Sequence, residues 1–180
     1  MQLSLVAALM ASVPALARQL PETQPALEAF NARLTAFVEL RTEAERSLPK
    51  LDETSDPAKL TAQQKALAAA VIAKRQGVTA GDVFVEACQP MLTRVVRENF
   101  ARRSRADRAA LMQDVPRDTK VTVNAEYPAG LPLVTLPPSL LRALPALPDD
   151  MEYRLVGRDL ILLDAKSGVV VDILSNVVPA

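Results

Sequence analysis

Residues 153–174 read "YRLVGRDLILLDAKSGVVVDIL". Three apolar-rich runs are separated by two short stretches, each containing a glycine, which is the pattern of a β-meander with tight turns. Along the first run, Tyr153 and Leu155 share one face while Arg154 and Val156 share the other. Gly157-Arg158 reverses the chain into "LILLD", and "AKSG", ending at Gly168, reverses it again into "VVVDIL". Asp159 and Asp164 flank the "LILL" run and are expected to cap turns. "LILL" and "VVV" are apolar on both faces, and a small sheet cannot cover both by itself. The rest of the chain, or a partner, must therefore lie against it.

Upstream, "VTVNAEYPAGLPLVTLPPSLLRALPALPDD" is rich in proline, and half of the 14 prolines of the chain fall between Pro116 and Pro148. The alternation of Val121 and Val123 predicts a strand over 120–127, and "PPSLLRAL" predicts a helical turn or two. Proline cannot donate to a ladder, so this bridge belongs at a sheet edge or on the surface.

The preceding chain is helical in pattern. Leu27, Phe30, Leu34, Phe37, Ala44 and Leu48 form one stripe, interrupted by Arg41 and ended by Pro49. Asp56 as N-cap, Pro57 at the first helical position and Gly77 past the end frame a second helix, with Leu60, Leu67 and Val71 on one side. Phe84, Cys88, Leu92, Val96 and Phe100 step four apart along a third. Pro90 is costly inside a helix, so that helix either tolerates it or begins near it, after a separate turn over 82–88. "SRADRAALMQD" offers a shorter fourth helix capped by Ser104. The predicted class is α+β: an N-terminal bundle of three or four helices in 18–116, then the proline-rich bridge and a C-terminal antiparallel β-meander in 117–180.

Residues 1–17, "MQLSLVAALMASVPALA", carry no charge and close on Ala15-Leu16-Ala17, a small-x-small site for signal peptidase. Cleavage after Ala17 would leave Arg18 first and send the protein to the periplasm or the medium. No Lys or Arg precedes Arg18, so a buried helix is the competing reading. The apolar run falls short of the ~20 residues that span a bilayer, and no stable membrane span is expected.

Composition excludes several chemistries. With 49% hydrophobic and 23% charged residues the chain has the make-up of a folded domain. Basic and acidic residues number 21 each, which gives no electrostatic case for nucleic acid. Histidine is absent, and Cys88 is the single cysteine. Ser-His-Asp and Cys-His catalysis, imidazole metal sites and an intrachain disulfide are thereby removed. Neither a cofactor nor a metal is expected. Cys88, on the apolar face of the third helix and without a histidine to activate it, reads as a small buried hydrophobe.

"YRLVGRDLILLDAKSGVVVDIL" resembles the C-terminal motif of the nickel/cobalt-homeostasis family of periplasmic proteins. "LEAFNARLTAFVELR", "LTAQQKALAAAVIAKRQG" with "GDVF", and "YPAGLPLVTLPPSLLRALPALPDDMEYRLVGRDLILLD" are similar to uncharacterised exported bacterial proteins of no assigned activity. The second similarity covers nearly the whole chain after Ala17. Metal handling does not carry over, because no histidine stands where a ligand would be needed.

Arg94, Arg97, Arg102, Arg103 and Arg105, continued by Arg108, form the densest charge run and the candidate contact for an anion or a protein partner in the cell envelope. The competing reading is a solvated helix face balanced by Glu98, Asp107 and acids elsewhere. Glu39, Glu43 and Glu45, or Asp149, Asp150 and Glu152, offer carboxylates without the loop spacing of a calcium site. No phosphate loop and no nucleophile elbow occurs. The expected function is a non-enzymatic periplasmic or secreted binding protein. The alternatives are a hydrolase using carboxylates and arginine, or a metal-stress protein. A deep cleft with two facing carboxylates would favour the hydrolase, and an apolar groove or sheet edge would favour binding.

Overall fold

An apolar stripe on each helix and a sheet apolar on both faces can be satisfied together only in layers, and layers are what the computed structural model shows. It describes residues 20–117 and 119–179. The expected signal peptide, 1–17, lies outside these described residues. The element order is α1 (Leu20–Arg46), α2 (Pro57–Lys74), α3 (Gln89–Ala101), α4 (Arg105–Gln113), α5 (Pro138–Leu141), then β1 (Met151–Val156), β2 (Asp159–Asp164) and β3 (Val169–Leu174). The class is α+β, with the helices N-terminal and the sheet C-terminal, as the sequence predicts.

Local chemistry sets the helix ends. Asp56 accepts from the Ala58 backbone N–H at 2.9 Å, and Pro57 occupies the first helical position of α2. Gly77 follows at φ +81°, a conformation that costs a glycine nothing. Ser104 caps α4 by accepting from Asp107 N at 3.1 Å. The helix carrying Pro90 begins at Gln89, so the proline sits in the first turn, where its missing N–H is harmless. α1 begins earlier than the stripe from Leu27 predicts, and its extra turn buries Ala26. Leu60 is a correction: it is 49% exposed, and α2 buries Leu67, Ala68 and Val71 instead. Ala68 lets α2 lie close along α1.

The three strands pair antiparallel in the order β1-β2-β3. The inner face presents Tyr153, Leu155, Leu160, Leu162, Val169 and Val171 to the helices. Phe30 of α1, Phe84 of the loop before α3, and Tyr153 of β1 stack in sequence at 6.2 and 6.5 Å between ring centroids. That offset stack ties three layers together. The outer face presents Val156, Ile161, Leu163, Val170 and the partly buried Ile173, and its cover is Val121 and Tyr127. The chain thus covers one face with helices and much of the other with its own proline-rich bridge.

The bridge also protects the sheet edges. Asn124 N donates to Val170 O, Val170 N to Ala125 O, and Tyr127 N to Gly168 O, each at 2.8 Å. Thr135 forms a single bridge to Arg154 on the far edge. The strand expected over 120–127 is absent. Asn124 lies at φ +59°, which breaks the extended path, and its Nδ2 instead donates to Ile72 O and Arg75 O at the end of α2. Pro128 then removes the next donor. Only one bridge, Glu126 to Val169, survives of the expected strand.

Candidate functional site

Strand β3 pairs Asp172 with Leu162 and Val170 with Leu163, leaving Val171 over as a β-bulge. The bulge turns Val171 and Asp172 toward the same side, and the Asp172 carboxylate thereby reaches the loop before α3. It accepts from Gly81 N (2.9 Å), Val83 N and Phe84 N (2.7 Å each) and Ile173 N (2.8 Å). Beside it Arg75, 3% exposed, donates to Asp82 and to Val171 O at 3.0 Å and lies 5.1 Å from the Phe37 ring centroid. On the other side of the core Arg41 meets Asp164 at 2.7 Å, and Ser167 Oγ donates to the second Asp164 oxygen at 2.5 Å. The expected turn caps are corrected: the Asp164 carboxylate is half of a buried ion pair and meets its turn through the Ser167 hydroxyl, and the Asp159 carboxylate accepts from Asn176 N after β3. These groups face backbone and each other, and their role is architectural.

Cys88 is fully buried on the α3 face. Burial pushes its thiol from 9.0 up to about 11, so it is a thiol and not a nucleophilic thiolate at neutral pH. The Tyr153 hydroxyl donates to Pro145 O at 3.2 Å, and burial raises its pKa as well.

The arginine run divides. Arg102 and Arg103 line a shallow groove of about 330 Å³ between α3 and α5 with Ser139. Arg103 donates to Asn99 Oδ1 (3.1 Å) and to Ser139 Oγ (2.8 Å), and Arg102 pairs with Glu98 at 3.5 Å. Arg94 and Arg97 line a different, open depression on α3, and Arg97 donates to Asn176 O at 3.3 Å. Arg105, exposed at the start of α4, lines neither. The five therefore do not converge. The acidic candidates are equally dispersed: Glu43 pairs with Lys74, Glu45 with Lys166 and Glu152 with Arg154.

A better-built cleft, of about 430 Å³, lies where the chain after α4 crosses the outer face of the sheet. Gly157 N donates to Pro116 O at 2.6 Å and anchors that crossing. Met112, Val121, Ile161 and Ile173 supply apolar lining. Arg117, Arg158, Asp159 and Asn176 supply the polar groups. Arg117 Nη2 donates to Met112 O (2.8 Å) and Arg158 Nε to Val178 O (2.8 Å), so both side chains are held by backbone. Among the described residues neither guanidinium is paired with a carboxylate. Asp159 instead accepts from Asn176 N at 2.8 Å.

A second cleft of about 380 Å³, at the β1 edge, contains Leu141, Pro145 and Tyr153, but its charged pair, Glu152 and Arg154, is self-neutralised. Among the described residues each of these two clefts is lined by one carboxylate, Asp159 in the first and Glu152 in the second. Among the described residues no group of three or more cysteines and acids is placed to hold a metal, and no helix is long and apolar enough to cross a membrane. Sequence reasoning missed Arg117 and Arg158; the one available signal was a basic residue directly after Pro116 and another directly after Gly157. Comparison with protein-family models, with curated proteins and with solved structures returns no match.

Proposed function

We propose that this is an exported, non-enzymatic binding protein, acting in the periplasm or outside the cell. One observation carries the binding half: a cleft of ligand size, with an apolar lining and two backbone-anchored arginines that, among the described residues, no carboxylate pairs with. The hydrolase alternative called for two facing carboxylates, whereas among the described residues lining this cleft Asp159 is the one carboxylate, and it is engaged by Asn176 N. The export half rests on the uncharged apolar segment ending in Ala15-Leu16-Ala17.

Two measurements test the two halves separately. N-terminal sequencing of protein from the envelope or the medium should begin at Arg18; a chain still starting at Met1 overturns export. A thermal-shift panel of anionic, neutral and cationic small molecules should raise the melting temperature for at least one class, as mass action requires. A melting temperature that no class moves overturns binding.

A further inference from the structure

We infer that the ligand of the outer-face cleft is a small aliphatic carboxylate, its anionic head met by Arg117 and Arg158 and its tail laid on Val121, Ile161 and Ile173. The inference rests on the binding role proposed above and narrows it to a chemical class.

Three features of the cleft select that class. Among the described residues that line it, the charged groups are the guanidiniums of Arg117 and Arg158 and the carboxylate of Asp159, so two positive charges face one negative. A monoanion balances that set, whereas a phosphate dianion overshoots it and meets Asp159 as well. Arginine presents a planar fork of donors that matches a carboxylate. Arg117 has committed Nη2 to Met112 O, and Arg158 has committed Nε to Val178 O, so the remaining donors are positioned in advance and unspent. That lowers the ordering cost of binding.

The second feature is the lining. Val156 and Ile161, 6% and 1% exposed, form an apolar base, and Ile173 and Val121 are only partly covered. A ligand lacking an apolar part would leave that surface wet. The third is size: about 430 Å³ admits a short-chain amphiphile and not a two-chain lipid.

The experiment uses the full chain with methyl-labelled Val and Ile, titrated with octanoate, octanol and acetate, and followed by NMR at Val121 and Ile173. Octanoate is expected to shift both methyl groups saturably, with a midpoint about tenfold or more below those of octanol and acetate. Arg117→Gln should weaken octanoate about tenfold while leaving the melting temperature unchanged, because Arg117 is exposed and, among the described residues, bonds only Met112 O. Arg158→Gln should weaken it similarly, and Arg117→Gln keeps the test decisive should the lost bond to Val178 O loosen the C-terminus. Octanol binding as tightly as octanoate, or octanoate binding unaltered by Arg117→Gln, overturns the carboxylate class while leaving a binding role in place. Methyl groups that none of the three probes moves overturn this ligand at this site, and the wider panel above then decides whether the protein binds anything.

Discussion

The two faces of one small sheet are built from the same residue types and held by different means. The inner face packs Leu160, Leu162, Val169 and Val171 under two long helices and an aromatic stack. The outer face packs Ile161, Leu163 and Val170, with Ile173 of β3 beside them, under Val121 and Tyr127, a thin cover drawn from irregular chain. Helices make a thick layer because each presents a continuous stripe. A proline-rich segment supplies a side chain here and there, and the gaps between them remain as clefts. The lesson is a division of labour within one sheet: the inner face is packed solid under the helices, and the outer face keeps the cleft proposed above as a binding site.

The sharpest way to break that comparison is at the bulge, where β3 sends a charge inward. Asp172→Ala leaves four backbone donors without their acceptor, those of Val83 and Phe84 in a buried setting and those of Gly81 and Ile173 in a partly buried one. An unmet buried donor costs about 1–3 kcal/mol. The expected outcome is the largest loss of any single substitution considered, enough to unfold much of the protein at 37 °C, read by circular dichroism and urea melts. A variant that melts like the parent would mean that the 81–84 loop is held by other contacts.

Next in size is a matched pair of truncations on adjacent residues that point to opposite faces. Leu162→Ala on the inner face should fall near the top of the range of about 2–5 kcal/mol for such changes. Leu163→Ala on the outer face should fall near the bottom, because irregular chain collapses onto a void more readily than packed helices do. Urea midpoints for the two variants decide it. Equal losses would show that the bridge packs as firmly as the helices, and the outer face would cease to be the softer one.

The smallest effect concerns pH. Burial favours the neutral Cys88 thiol, so its folded pKa lies above its ordinary 9.0, at about 11. A group whose pKa is raised on folding stabilises fully below its unfolded pKa, and that contribution disappears as pH rises through the folded value. Stability should therefore decline between about pH 9 and 11, with buried Tyr153 adding to the decline at its alkaline end. Cys88→Ala should lose less stability across that window than the parent, measured as the difference in urea midpoint. Identical slopes would place the thiol in a wetter setting than the inner core.

How much of this was legible depended on the distance over which each feature is decided. The caps of α2 and α4 were readable at Asp56 and Ser104 because a cap is a bond to a residue two or three positions away. Both meander turns were readable because glycine at Gly157 and Gly168 allows the positive φ that the reversals adopt. The strand expected over 120–127 failed because alternation at Val121 and Val123 says nothing about the pull of the α2 C-terminus on Asn124. Leu60 failed because a helical stripe names a face without naming what stands opposite. The candidate site was the least legible part. The sequence points to Arg94 through Arg105, which are neighbours along the chain. The cleft draws instead on Arg117 and Arg158, which become neighbours only where the chain crosses the sheet.

By itself the sequence determined the class of the fold, the order of the long helices and of the three meander strands, the positions of the turns between those strands, and the absence of imidazole chemistry. Periodicity, capping and residue type act over one turn of helix or one hairpin, and they are present before any tertiary contact forms. The tertiary structure alone decided that Arg41, which interrupts an apolar stripe, is buried against Asp164 from 123 residues away. It also decided that Asp172, inside an apolar strand, closes a loop that lies before α3, and that two isolated arginines share one cleft. A charge in an apolar run states a need for a partner; which partner answers it is settled by packing, because only packing brings distant residues together in a place with no water to substitute for either.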